Sequence, residues 1–112
     1  MSERSDIAKL DFVIELIDDI IRITERHGGI NASINDFEGR HALMMCLMQI
    51  GETLNKIQSE KYLKKLPVDL AYKMRNIIAH DYIGVNNRVI IQTITSDIPV
   101  LAEKIKSLLA NN

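Results

Sequence analysis

Very little in this chain can make a sheet or span a bilayer. Of 112 residues only two are proline and five glycine, there is no tryptophan, and aromatic residues make up 4%. A sandwich or barrel needs many tight turns and ring-rich strands, so this scarcity argues against both. No run approaches the roughly 20 apolar residues that cross a membrane. The start, Met1 to Asp6, is charged and leads into no uninterrupted apolar stretch, so no signal peptide is expected and the protein reads as cytoplasmic. A single cysteine, Cys46, cannot form an internal disulfide and lies in an apolar run, as a buried thiol does. Fourteen basic against fifteen acidic residues exclude a protein coated in positive charge. Any nucleic-acid binding must therefore rest on a local patch.

What is present points to helices. Apolar residues make up 46% and charged residues 26%, the balance of a globular chain of one domain, 1–112. From Asp6 to His27, Ile7, Leu10, Val13, Ile14, Ile17, Ile20 and Ile21 recur at spacings of three and four, and Gly28 and Gly29 stop the pattern. Residues 30–35 read as a loop. A second helix is expected from about Asp36 to Ile57, with Leu43, Leu47, Leu54 and Ile57 on one side and Met44, Met45 and Met48 filling out its core. After a polar, lysine-rich segment, Pro67 suits the first turn of a third helix, which carries Leu70, Met74, Ile77 and Ile78 and fades near Gly84. Asn86 and Asn87 can cap a fourth helix through Ser96. Its stretch from Val89 to Thr95 is β-branched, but lacks clean alternation and a partner strand. Ser96 or Asp97 then caps a last helix with Pro99 in its first turn and Val100, Leu101, Ile105, Leu108 and Leu109 on its apolar side. The expectation is all-α: an antiparallel bundle of four or five helices.

The chemistry concentrates in the third helix, in Arg75-Asn76-Ile77-Ile78-Ala79-His80-Asp81-Tyr82. On a wheel of about 100° per residue with Arg75 at zero, the apolar residues fall between roughly 200° and 300°. Asn76 and His80 fall at roughly 100° and 140°, away from that side, with Ala79 at about 40° between Arg75 and them. Asn76 and His80 are an i, i+4 pair able to touch, and Tyr82 is two turns from Arg75 on a shared face. A permanently charged fork suits phosphate oxygens, and an imidazole moves protons near neutrality. Metal-free RNA cleavage asks for a base, a cation for the charged phosphorane and an acid. One copy of the motif offers one histidine; a two-fold dimer pairing these faces would supply another. Lys56, Lys61, Lys64, Lys65 and Lys73 form a basic excess just upstream, of which Lys61, Lys64, Lys65 and Lys73 are candidate RNA contacts. His27 lies at a helix end, where a cation complements the dipole, and His41 has no evident partner. No His/Cys/carboxylate spacing of a metal site and no phosphate-cradling glycine loop is present.

These residues resemble a known family. Arg75, His80 and Tyr82 match the R-x4-H-x-Y signature of HepT-like toxins in the HEPN superfamily. Gln49-Ile50-Gly51-Glu52 is similar to the family's I-G-E segment, and Asp97-Ile98-Pro99-Val100-Leu101 to the D-[LI]-P-x-L start of its last helix. The resemblance implies a homodimeric HEPN bundle acting as a metal-independent endoribonuclease on tRNA or mRNA, without a cofactor. It implies the toxin of a type VII toxin–antitoxin pair, whose antitoxin is a minimal nucleotidyltransferase. On this reading Arg75 and His80 are catalytic, Asn76 supports them, and Tyr82 is the target of AMPylation by the antitoxin. An alternative implied by related proteins is a non-catalytic partner subunit of a nucleotidyltransferase.

Overall fold

The apolar stripe that opens the sequence becomes α1 (Ser2–Arg26), the first rod of an all-helical computed structural model that describes residues 2–111. Its Leu10, Val13, Leu16, Ile17 and Ile20 are buried in the centre of the molecule. Gly28 and Gly29 end it with φ of 88° and 126°, values that a side chain at either position would oppose. The segment expected to be a loop is instead a short helix, α2 (Ile30–Asn35). It has no stripe of its own. It is held by burial of Ile34 and by the Ser33 hydroxyl, which donates to the carbonyls of Gly29 at 2.7 Å and Ile23 at 3.4 Å.

Asp36 caps α3 (Phe37–Leu54), accepting from the Gly39 amide at 2.8 Å. Opposite that cap His27 closes the α1–α2 turn, with Nδ1 2.9 Å from the Ile23 carbonyl and Nε2 3.2 Å from Asp36. Leu43, Met44, Leu47, Ile50 and Leu54 of α3 are buried, whereas Met45, expected in the core, is half exposed. The polar segment that follows contains one helical turn, α4 (Glu60–Leu63), anchored by the completely buried Tyr62. Asp6 of α1 is also completely buried. Its carboxylate accepts from the amides of Gln58 at 3.1 Å and Ser59 at 2.7 Å, and the Lys9 ammonium stands 3.7 Å away. A buried carboxylate is tolerated because these partners replace water. It also fixes the start of α1 beside the end of α3, so the two run antiparallel.

Next come α5 (Val68–His80) and α6 (Asn87–Gln92). A single π turn over residues 93–97 joins α6 to α7 (Ile98–Ala110), so the β-branched stretch is helical, as expected. α3 lies between α1 and α5, and α7 packs on α1. Among the described residues there is no strand, and no helix is long and apolar enough to cross a membrane. Cys46 is buried on α3, and burial, reinforced by the nearby Asp19 carboxylate, pushes its thiol up to about 11. Native protein should therefore react with a disulfide reagent at pH 8 roughly a hundredfold more slowly than protein unfolded in urea. Equal rates in the two states would show the thiol to be open.

Candidate active site

α5 reaches its position because Gly51 lets two backbones meet. A Cβ at Gly51 would stand 2.6 Å from the Ala71 carbonyl oxygen and 2.7 Å from the Arg75 Cβ, so only glycine permits this crossing of α3 and α5. The next residue, Glu52, then faces Arg75. Its carboxylate pairs with the Arg75 Nε, and both paired atoms are shut off from solvent although each side chain as a whole is about 30% exposed. Arg75 Nη1 donates to the Asn76 side-chain carbonyl at 2.9 Å, and the guanidinium lies 5.5 Å above the Tyr72 ring. Arg75 is therefore not a free solvent-facing side chain, as the wheel suggests, but a clamped one. Of its five N–H donors, these contacts engage two, leaving three for an anion. Asn76 spends its carbonyl on Arg75 rather than touching His80. His80, the last residue of α5, is exposed and makes no hydrogen bond or ion pair with the described residues.

Tyr82 departs from the helical wheel altogether. α5 stops at His80, and Asp81 leaves it with φ −147° and ψ 71°. The Asp81 side chain and carbonyl both accept from the Gly84 amide, at 3.1 Å each, closing a turn. Tyr82 is thereby swung over α3, where its phenol oxygen lies 2.7 Å from His41 Nδ1 and its ring stacks on the imidazole, centroids 5.3 Å apart and planes 9° from parallel. His41, which has no evident partner in the sequence, is thus paired with a residue 41 positions away. Beside it Arg40 donates to the Asn87 side chain at 2.8 Å and to the Val85 carbonyl at 2.7 Å, pinning the far side of the same turn. His41 and Glu52 are eleven residues apart on one face of α3, so Tyr82 and Arg75 are anchored about 16 Å apart along it.

The apolar side of α5 is also only partly buried. Ile78 is sealed, but Leu70 is 69% and Ile77 42% exposed, although the periodicity places both in the core. With Met74, Ile98, Val100 and Leu101 they line an open groove of about 350 Å³ between α5 and α7, with Lys73 and Lys104 at its edge. The other candidate RNA-contacting lysines are elsewhere. Lys64 and Lys65 border a crevice with Lys104 near the end of α7, and the Lys61 ammonium lies 5.3 Å over the Tyr62 ring. No group of three His, Cys, Asp or Glu side chains among the described residues is placed to hold a metal ion.

The Arg75 and His80 helix, with α3, the second half of α1 and most of α7, falls within a match of residues 13–108 to the family described as ribonuclease HepT-like. The chain belongs to the HepT-like family. It is similar to two candidate RNases of Methanocaldococcus jannaschii. One, MJ1216, is 30% identical over 97% of this chain and 91% of its own length; the other, MJ0125, is 29% identical over 97% and 95%. A candidate RNase of Caldanaerobacter subterraneus, TTE0752, is 36% identical over 61% of this chain and 62% of its own. No solved structure matches it significantly. Within this HepT-like chain the sequence offers Arg75, Asn76, His80 and Tyr82 as candidates, but gives no chemistry to Glu52 and passes over Arg40. Neither has a local signal, since each acts on a residue from another element.

Proposed function

We propose that the chain is a metal-independent endoribonuclease, a single domain over residues 1–112 that works in the cytoplasm as a homodimer. The observation that carries this reading is the clamped guanidinium. Glu52 and Asn76 orient Arg75 from behind, and three donors remain for the oxygens of a phosphate. His80, free of other partners, takes the proton of the RNA 2′-hydroxyl as that oxygen attacks the adjacent phosphorus. Arg75 stabilises the charge that accumulates on the phosphorane. The departing 5′-oxygen receives a proton from His80 of the partner subunit, leaving a 2′,3′-cyclic phosphate and a 5′-hydroxyl. Lys61, Lys64, Lys65 and Lys73 would then steer the rest of the RNA, Lys73 from α5 itself.

Two features support a dimer. A single copy of the motif supplies one histidine, and exposed Leu70 and Ile77 lie on the side of α5 that adjoins His80, where a second chain would cover them. The family membership and the names of the relatives favour RNA as substrate. We further read the chain as the toxin of a type VII pair, its partner a minimal nucleotidyltransferase that silences it by AMPylation of Tyr82. A bulky anionic group there would obstruct the RNA path from the far end of α3.

The purified protein should cleave RNA in EDTA, leaving cyclic phosphate ends, and His80→Ala should abolish this. Cleavage undiminished in His80→Ala, or none by the wild type, would overturn the reading.

A further inference from the structure

We propose that His41 is the general base of Tyr82, and that the two form a nucleophile–base dyad able to accept a nucleotidyl group from a nucleoside triphosphate. The proposal rests on the reading of Tyr82 as the modified residue and adds to it the group that makes the phenol reactive. A phenol is a weak nucleophile near neutrality, and its usual remedy in proteins is a base within hydrogen-bond reach of its oxygen. Nδ1 of His41 lies 2.7 Å from that oxygen. With its own proton on Nε2, the imidazole accepts the phenol O–H at Nδ1.

The three tyrosines of the chain differ sharply. Tyr62 is completely buried. Tyr72 lies beneath the Arg75 guanidinium, with no base on its oxygen. Tyr82 is half-buried, yet it alone combines accessibility with an imidazole on the reacting atom. The near-parallel stacking at 5.3 Å fixes the phenol against the imidazole. The Asp81–Gly84 turn and the Arg40 bonds hold the segment on either side. The dyad is therefore preorganised from both elements that contribute to it.

In the reaction the Tyr82 oxygen attacks the α-phosphorus of the triphosphate and a new O–P bond forms. The bond from that phosphorus to the bridging oxygen breaks and pyrophosphate leaves. The phenol proton passes to Nδ1 of His41, which thereby becomes imidazolium and later releases it to water. No electrons change hands, and the only co-reactant is the triphosphate, presented by the partner enzyme.

The test has two arms on the full-length chain. In the first, an aryl sulfonyl fluoride is the electrophile, and modified tyrosines are mapped by mass spectrometry. Tyr82 should react at least tenfold faster than Tyr72. His41→Ala should remove about a hundredfold of a nucleotidyl or sulfonyl transfer rate, as loss of a general base does. Free imidazole should restore part of it in His41→Ala but none in Tyr82→Phe. In the second arm, radiolabelled ATP and a minimal nucleotidyltransferase replace the reagent, and His41→Ala should again be slow and rescuable. His41 is exposed, and circular dichroism of the variant confirms that it folds. Equal labelling of wild type and His41→Ala, or a deficit that imidazole does not relieve, overturns the role of His41. Wild type that reacts with the sulfonyl fluoride through His41 but receives no nucleotide overturns the reading of Tyr82 on which the proposal rests.

Discussion

Replacing Arg75 by lysine should lower RNA cleavage about a hundredfold to a thousandfold, the loss typical of removing one oxyanion donor, with little effect on folding. The geometry makes lysine the informative choice. Arg75 uses Nε for Glu52 and Nη1 for Asn76 while still offering donors to an anion. A lysine ammonium is a point charge and must choose between holding Glu52 and meeting the phosphate. It nevertheless keeps a cation beside the Glu52 oxygen, which is closed to solvent. Alanine would not. It would strand that oxygen, at a cost of roughly 1–3 kcal/mol, and mix a folding defect with a catalytic one. Glu52→Gln should give a smaller loss of cleavage, because it releases Arg75 without removing it. The double variant should lose little more than Arg75→Lys alone, since contacting residues do not act additively. Initial rates on a fluorogenic RNA and urea denaturation measure the two effects separately. Full activity in Arg75→Lys would remove Arg75 from the mechanism.

Gly51→Ala should destabilise the protein, and the sign of the effect is the diagnostic. In an ordinary helix interior the change stabilises by up to about 1 kcal/mol through propensity. At Gly51 the new methyl would meet the Ala71 carbonyl and the Arg75 Cβ at 2.6 and 2.7 Å, and neither is the flexible tip of a side chain. Parting α3 from α5 costs roughly 1–3 kcal/mol, which outweighs the propensity gain. Gly51→Val adds bulk and forfeits that gain, so it should be worse, lowering the melting temperature by about 4 °C or more for each kcal/mol. Because the displaced neighbour is Arg75, cleavage should fall beyond what the unfolded fraction explains. A Gly51→Ala protein more stable than wild type would show that the two helices do not meet there.

The long helices were legible because their apolar residues repeat at three and four and their ends carry glycine, asparagine or a capping aspartate. Residues 30–35 escaped that logic. Two isoleucines among four polar and small residues make no stripe, and their helix exists because Ser33 and Ile34 reach into surrounding structure. The wheel placed Arg75, Asn76 and His80 outside the sealed side of α5, but it assumed that the helix continued to Tyr82. Asp81 breaks it, and the tyrosine lands on α3. Leu70 and Ile77 failed in the opposite direction. Periodicity recognises apolar residues but not whether a neighbour covers them, and here α7 leaves the groove open. Glu52 and His41 act across 23 and 41 positions of sequence, beyond any local pattern.

The π turn between α6 and α7 settles a question of phase. Ile90, Ile94 and Ile98 are spaced by four and then four, and Leu101, Ile105 and Leu108 follow at three, four and three. Two successive steps of four overshoot an α-helical turn by about 80° in all. Without relief, the last helix would be rotated by that amount relative to α6. The wider turn over 93–97 takes up the surplus within five residues. Ile90 and Ile105 are both completely buried as a result, while Thr93 and Asp97 are turned toward the α5 groove. The rod therefore works as two helices with one continuous buried seam, and its change of pitch lies beside the helix that carries Arg75 and His80.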